Sequence, residues 1–173
     1  MVAHRLFGAL SPGLASEIRE FTFANDKPLY RATLEAVAQS RKLRPVFLER
    51  QPRGERHAGL ITALGRPPLA LAGDSLIRSW LVKQQTALLT DFLDALNIPH
   101  EKGVLQDVPP SVDDAALQSA IEGLLARHPR EIVALYLHAF SGMNEMRWPN
   151  LDALLESDPR LKLKREPDSA HTD

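Results

Sequence analysis

The sequence predicts an all-α fold: a single compact domain of seven to eight helices around a long central helix near residues 74–97. Three observations predict it. Apolar residues recur at three- and four-residue spacing in successive segments, the signature of one buried helical face. The 13 prolines and 9 glycines fall mostly between those segments, where chain breakers belong. Only one run, 130–140, has a composition suited to a strand.

Ser11-Pro12 opens the first helix, with Ser11 as N-cap and Pro12 at the first helical position, where its missing N–H costs nothing. That helix runs through Ile18 to about Asn25. The short apolar stretch before Ser11 is too brief for a secretory core and reads as its lead-in. Asp26 caps a second helix, in which Tyr30, Thr33, Leu34, Val37 and Ala38 form the inward stripe. Pro45 starts a short helix in RPVFLERQ, and Pro52 starts another that Gly65 ends. After Asp74, residues Leu76, Ile77, Trp80, Leu81, Gln84, Ala87, Leu88, Phe92 and Leu96 line up as one long helix ended by Asn97 and Pro99.

Residues 98–110 are expected to be irregular. Ser111 with Asp114 makes a carboxylate variant of the capping box and opens the next helix, with Leu117, Ala120, Ile121, Leu124 and Leu125 inward. In 130–140, Ile132, Val133, Tyr136 and Phe140 would also suit a strand. With no second strand-like run nearby, a lone strand would leave its backbone groups unsatisfied, so a buried helix is expected. Trp148-Pro149 leads a last short helix. The domain is expected to span 1–161, followed by a charged, disordered tail over 162–173.

Composition narrows the chemistry. With 44% hydrophobic and 25% charged residues the chain belongs among globular proteins. The absence of Cys removes disulfides, thiolate metal sites and cysteine nucleophiles, and fits a reducing cytoplasm. No apolar run is long enough for a membrane span. The sequence contains no GxGxxG, P-loop, GxSxG, HExxH or EF-hand loop, and Glu55, Glu122, Glu131 and Glu145 all lack the His three residues on that a di-iron bundle uses. No metal or cofactor is expected, and whether the protein is an enzyme is left open.

Charge is uneven. Residues 1–86 carry 13 Lys+Arg against 7 Asp+Glu, and residues 87–173 carry 8 against 15, so +6 and −7 sum to the net −1. The halves could cancel within the fold, present a basic face to an anionic ligand, or make subunits complementary. The densest basic stretch is 41–57, where Arg41, Lys42, Arg44, Arg50, Arg53 and Arg56 face only Glu49 and Glu55. Arginine forks suit phosphate or carboxylate, and two helix starts at Pro45 and Pro52 attract anions. The simpler reading is that these arginines pair with local and distant carboxylates.

Candidate ligand-binding residues are therefore Arg44, Arg50, Arg53, His57 and His138. His57 lies beside Arg53 and Arg56, which disfavours its protonated form. His138 sits in the most apolar segment, either as a satisfied core residue or as a base sharing a cleft with Glu131. His128 precedes Pro129 near a helix C-terminus, where it is expected to cap. His4 and His171 lie near the ends of the chain. Asp91 and Asp94 resemble half of a magnesium pair but read as the solvated side of an amphipathic helix.

KPLYRATLEAVAQSRKLRPVFLERQPRGERH, FLDALNIPHEKG and IVALYLHAF together resemble a group of small bacterial helical proteins of unassigned function, over most of residues 25–140. That resemblance implies bacterial origin and brings no activity, cofactor or catalytic residue. The function expected first is a non-catalytic helical interaction or regulatory module, as a homo-oligomer or with a protein partner. The alternative is binding, or turnover, of a small anionic or phosphorylated ligand at 41–57. A third is nucleic-acid binding through the basic half, which the pI of about 6.6 and the single aromatic Phe47 of that stretch disfavour.

Overall fold

The computed structural model describes residues 6–143 and 147–163. His4, Glu145, His171 and the tail from residue 164 on lie outside the described residues. Among the described residues the fold is all-α, with nine α-helices and one two-stranded hairpin. No helix among them is long and apolar enough to cross a membrane. Residues up to Ile77, with Leu163, gather into one compact unit, and Arg78–Lys162 into another.

The first unit contains α1 (Pro12–Asn25), α2 (Lys27–Ser40), α3 (Pro45–Glu49) and α4 (Arg53–Leu64). Ser11 Oγ accepts from the Leu14 N–H at 3.3 Å and caps α1 as expected. α2 ends in a left-handed residue, Lys42 (φ 55°), which lets the Leu43 N–H return to the Ala38 carbonyl at 2.9 Å. The core joins Tyr30, Leu34, Val37 and Ala38 of α2 to Leu48 of α3 and to Leu60 and Ala63 of α4. The inward stripe read for α2 is thus the buried one.

α5 (Ala70–Gln84) starts earlier than Asp74, after a 3-10 turn at Pro67–Leu69, and α6 (Thr86–Ala95) is separate from it. The single helix expected over 74–97 is therefore two. Gln85 leaves the helical region (φ −111°, ψ 30°), and the Thr86 hydroxyl donates back to the Val82 carbonyl at 2.9 Å, a bond that bends helices. The bend moves the apolar face on by about one position. Gln84 and Ala87 are exposed, and Leu88, Leu89, Phe92 and Leu93 become the buried set.

In the second unit α6 packs on α7 (Asp114–Arg127), α7 on α8 (Arg130–Met143), and α8 on α9 (Pro149–Ser157). Asp113, not Ser111, caps α7, accepting from the Ala116 N–H at 3.0 Å. Asn150 holds the preceding chain instead, its Nδ2 donating to the Val112 carbonyl and the Asp114 carboxylate. The 130–140 segment is a helix, buried without a break from Val133 to Ser141, as a helix apolar on all sides must be. Phe92, Tyr136, Phe140 and Trp148 form its aromatic core, with centroids 5.0–6.5 Å apart.

Residues 98–110 are more ordered than the sequence suggests. β1 (His100–Glu101) pairs antiparallel with β2 (Val104–Leu105), register His100↔Leu105. The two loop residues, Lys102 and Gly103, both have positive φ (51° and 81°), the type I′ geometry that matches strand twist. A Cβ on Gly103 would lie 2.5 Å from Leu89 Cβ. Gly103→Ala adds overpacking to backbone strain, so a destabilisation of about 2–4 kcal/mol is expected in urea unfolding. An unchanged midpoint would refute the hairpin's close seat on α6.

Candidate functional site

Asp26 ends α1 and begins α2. Its N–H donates to the Thr22 carbonyl at 2.9 Å, while its carboxylate accepts from the Leu29 N–H at 3.2 Å. The resulting corner brings Phe23 and Tyr30 edge-to-face with centroids 5.0 Å apart. Two arginines tie the neighbouring helices together. Arg41 Nη2 donates to the Gly59 carbonyl and Arg56 Nη1 to the Glu49 carbonyl, both at 2.8 Å.

Between these helices lies a cleft of about 570 Å³, lined by Phe23, Ala24, Lys27, Tyr30, Arg31, Leu34, Glu49 and Arg56. Its wall mixes apolar residues with three cations and one carboxylate. Two buried polar atoms there have no hydrogen-bond partner: Tyr30 Oη and Arg56 Nε. A hollow of equal volume along residues 96–116 has only Asp107 and Asp113 as charged groups, so the two spaces differ in chemistry rather than size.

Close to Phe23 in space or along α1 are two further polar groups. His57 is 8% exposed, its ring 6.0 Å from that of Phe23, and its Nε2 has no partner. Burial and then the charges of Arg19, Arg53 and Arg56, against Glu20, push the His57 pKa down to about 4. Arg19, one turn before Phe23 on α1, is 2% exposed. Its Nη2 meets the Glu20 carboxylate at 2.9 Å, and its Nε and Nη1 are unpartnered.

Of the residues singled out from the sequence, Arg53 and His57 gather around Phe23, the Arg53 guanidinium 5.2 Å from that ring's centroid. Arg44 and Arg50 are exposed and lie outside the cleft lining. His138 belongs to the second unit, where its Nε2 donates to the Leu161 carbonyl at 3.0 Å. Burial pushes its pKa down, and that bond partly offsets the effect. Of the cleft and Phe23 neighbours, Lys27, Tyr30, Arg31 and Arg19 were not among the sequence candidates, and Arg56 entered only as part of the basic 41–57 stretch. The legible signal was Lys27, Tyr30, Arg31 and Leu34 at helical spacing, cations interleaved with an inward stripe.

The other histidines of the second unit are paired. His128 Nε2 lies 2.7 Å from Asp91, whose second oxygen meets Arg127 at 3.3 Å. The Gly103 N–H donates to His100 Nδ1 at 3.1 Å, so Nε2 carries the proton toward Asp94 at 3.0 Å. Asp91 and Asp94 thus serve different histidines, and no group of three or more metal-ligating side chains occurs among the described residues. The Ser141 hydroxyl donates to Asp152.

Comparison with protein-family models, with curated proteins and with solved structures returns no match.

The depressed pKa of His57 has a definite sign. The fold favours neutral imidazole, so its stability is complete above the unfolded value of 6.5 and falls as the pH drops from there toward 4. The loss attributable to His57 is on the order of 3 kcal/mol. His57→Gln removes this titration, and its urea midpoint is expected to vary less between pH 7 and pH 4 than that of the wild type. Parallel curves for the two proteins would contradict it.

Proposed function

We propose that this protein binds a small anionic or phosphorylated ligand, with an apolar portion, in the cleft between α1, α2, α3 and α4. The observation that carries this reading is the pair of buried, unpartnered atoms at the cleft wall, Tyr30 Oη and Arg56 Nε. Leaving such a group unsatisfied costs about 1–3 kcal/mol, which a ligand oxygen recovers once the Tyr30 and Arg56 side chains turn toward it. Lys27, Arg31 and Arg56 outnumber Glu49, so the cleft favours negative charge. Phe23, Ala24 and Leu34 supply apolar contact. A concave site of this size favours a small molecule over a nucleic-acid strand. The cytoplasmic setting and bacterial kinship expected from the sequence belong to the same reading.

A partner-binding role has its own supporting observation. Leu43, Val46 and Phe47 are 44%, 39% and 55% exposed, within a stretch that also exposes Arg41, Lys42, Arg44 and Arg50. An apolar patch with a basic rim suits a protein interface.

Phenyl phosphate tests the first reading by calorimetry. Saturable binding is expected, weakened about fivefold by Tyr30→Phe through one lost hydrogen bond and about tenfold or more by Arg56→Met. Wild-type protein that takes up none refutes it. For the second reading, sedimentation should show concentration-dependent self-association that Phe47→Asp abolishes. A wild-type monomer at every concentration would exclude a homo-oligomer built on this patch.

A further inference from the structure

The buried atoms of Arg19 and His57 are not explained by the cleft, whose lining includes neither residue. Arg19 is nearly inaccessible, yet two of its three guanidinium nitrogens have no partner, and its one carboxylate, Glu20, is mostly exposed. A guanidinium removed from water is costly unless its donors are taken up. The same holds for His57 Nε2. Both side chains are anchored on opposite helices, Arg19 on α1 and His57 on α4, which pack together.

Phe23 links His57 to the cleft. It lines the cleft, meets both the Tyr30 and the His57 rings edge-to-face, and is itself only half-buried. Arg56 belongs to both places, lining the cleft while its charge acts on His57. The groups acting on His57 come from two elements, Arg19 and Glu20 from α1, Arg53 and Arg56 from α4. With neutral imidazole these sum to three positive charges against one negative, so the surroundings carry a surplus of two.

We infer that Arg19 and His57 form an inner seat for the oxyanion head of the ligand, reached from the cleft when the Phe23 ring swings aside. This rests on the cleft reading and adds a substrate class. The surplus of two charges matches the dianion of a phosphate monoester better than a carboxylate. Arg19 Nε and Nη1 lie on different edges of the guanidinium, and each leaves one donor for a phosphate oxygen. The apolar part of the ester then lies against Phe23, Tyr30 and Leu34. Until a ligand arrives, Phe23 keeps the two buried groups covered.

The seat is tested by following the His57 ring signals in NMR spectra, assigned with His57→Gln, while phenyl phosphate, benzoate and inorganic phosphate are added to the full chain. Phenyl phosphate is expected to move the ring signals saturably at pH 7 and to raise their titration midpoint by one pH unit or more. Benzoate is expected to bind at least tenfold more weakly. Arg19→Met, which removes a buried charge while keeping most of the side-chain volume, should abolish the ring response and weaken phenyl phosphate at least tenfold. The inner seat is overturned, with the cleft reading intact, if phenyl phosphate binds in a Tyr30-dependent way while the His57 ring does not respond. A ring response to inorganic phosphate without any phenyl phosphate binding removes the cleft reading and, with it, the assignment of a phosphate monoester to the seat. If no probe binds or moves the ring, both fall.

Discussion

The candidate site depends on the corner at Asp26. One residue closes α1 through its N–H and opens α2 through its carboxylate. Phe23, Ala24, Lys27 and Tyr30, half of the cleft lining, lie within four positions of it. The corner therefore sets the angle at which an aromatic pair and a cation face the short α3 and the start of α4. Its geometry is local, but what it presents is decided by the helices that close against it. Arg41 and Arg56 supply that closure by spending side-chain donors on backbone carbonyls across helices.

Around Phe23 the unit collects Arg19, Arg53, Arg56 and His57, with Glu20 as the balancing carboxylate. Cations brought this close repel one another, and the fold lowers that cost by keeping His57 neutral. The result is a positive region whose buried donors are not all used. In the second unit Trp80 Nε1 is also buried without a partner, but the histidines and Arg160 are paired. His128, His100 and His138 each have an acceptor, and the Arg160 guanidinium sits between Glu122 and Asp158, pushing both carboxylates below their usual range. Polar groups there consolidate packing. Open hydrogen-bonding capacity at the cleft is what separates a candidate site from a well-satisfied surface.

Much of the architecture was legible because it is written in local rules. Ser11 and Asp26 cap where a side-chain oxygen precedes a helix, and prolines begin helices where no N–H is needed. The run 130–140 could be placed as a helix by the absence of a strand partner. Where sequence reading erred, a non-local contact or a subtle local bond intervened. A one-residue departure at Gln85 splits the helix expected over 74–97. Asn150, far away in the chain, holds the segment around Val112 and leaves the cap to Asp113. The Lys102-Gly103 loop was hidden because Lys rarely advertises a positive φ.

The sequence by itself determined the all-α class, most helix boundaries and the concentration of arginine between residues 41 and 57. These follow from hydrophobic periodicity, capping chemistry and composition, all readable within a turn or two. Only the tertiary structure decided which arginines line the candidate cleft. Arg44 and Arg50 face outward, whereas Arg56 lines a cleft completed by Lys27 and Arg31 of an earlier helix, and Arg19 is buried outside the basic stretch altogether. Whether a polar atom finds a partner depends on what another helix brings to it. No spacing within a single segment encodes that.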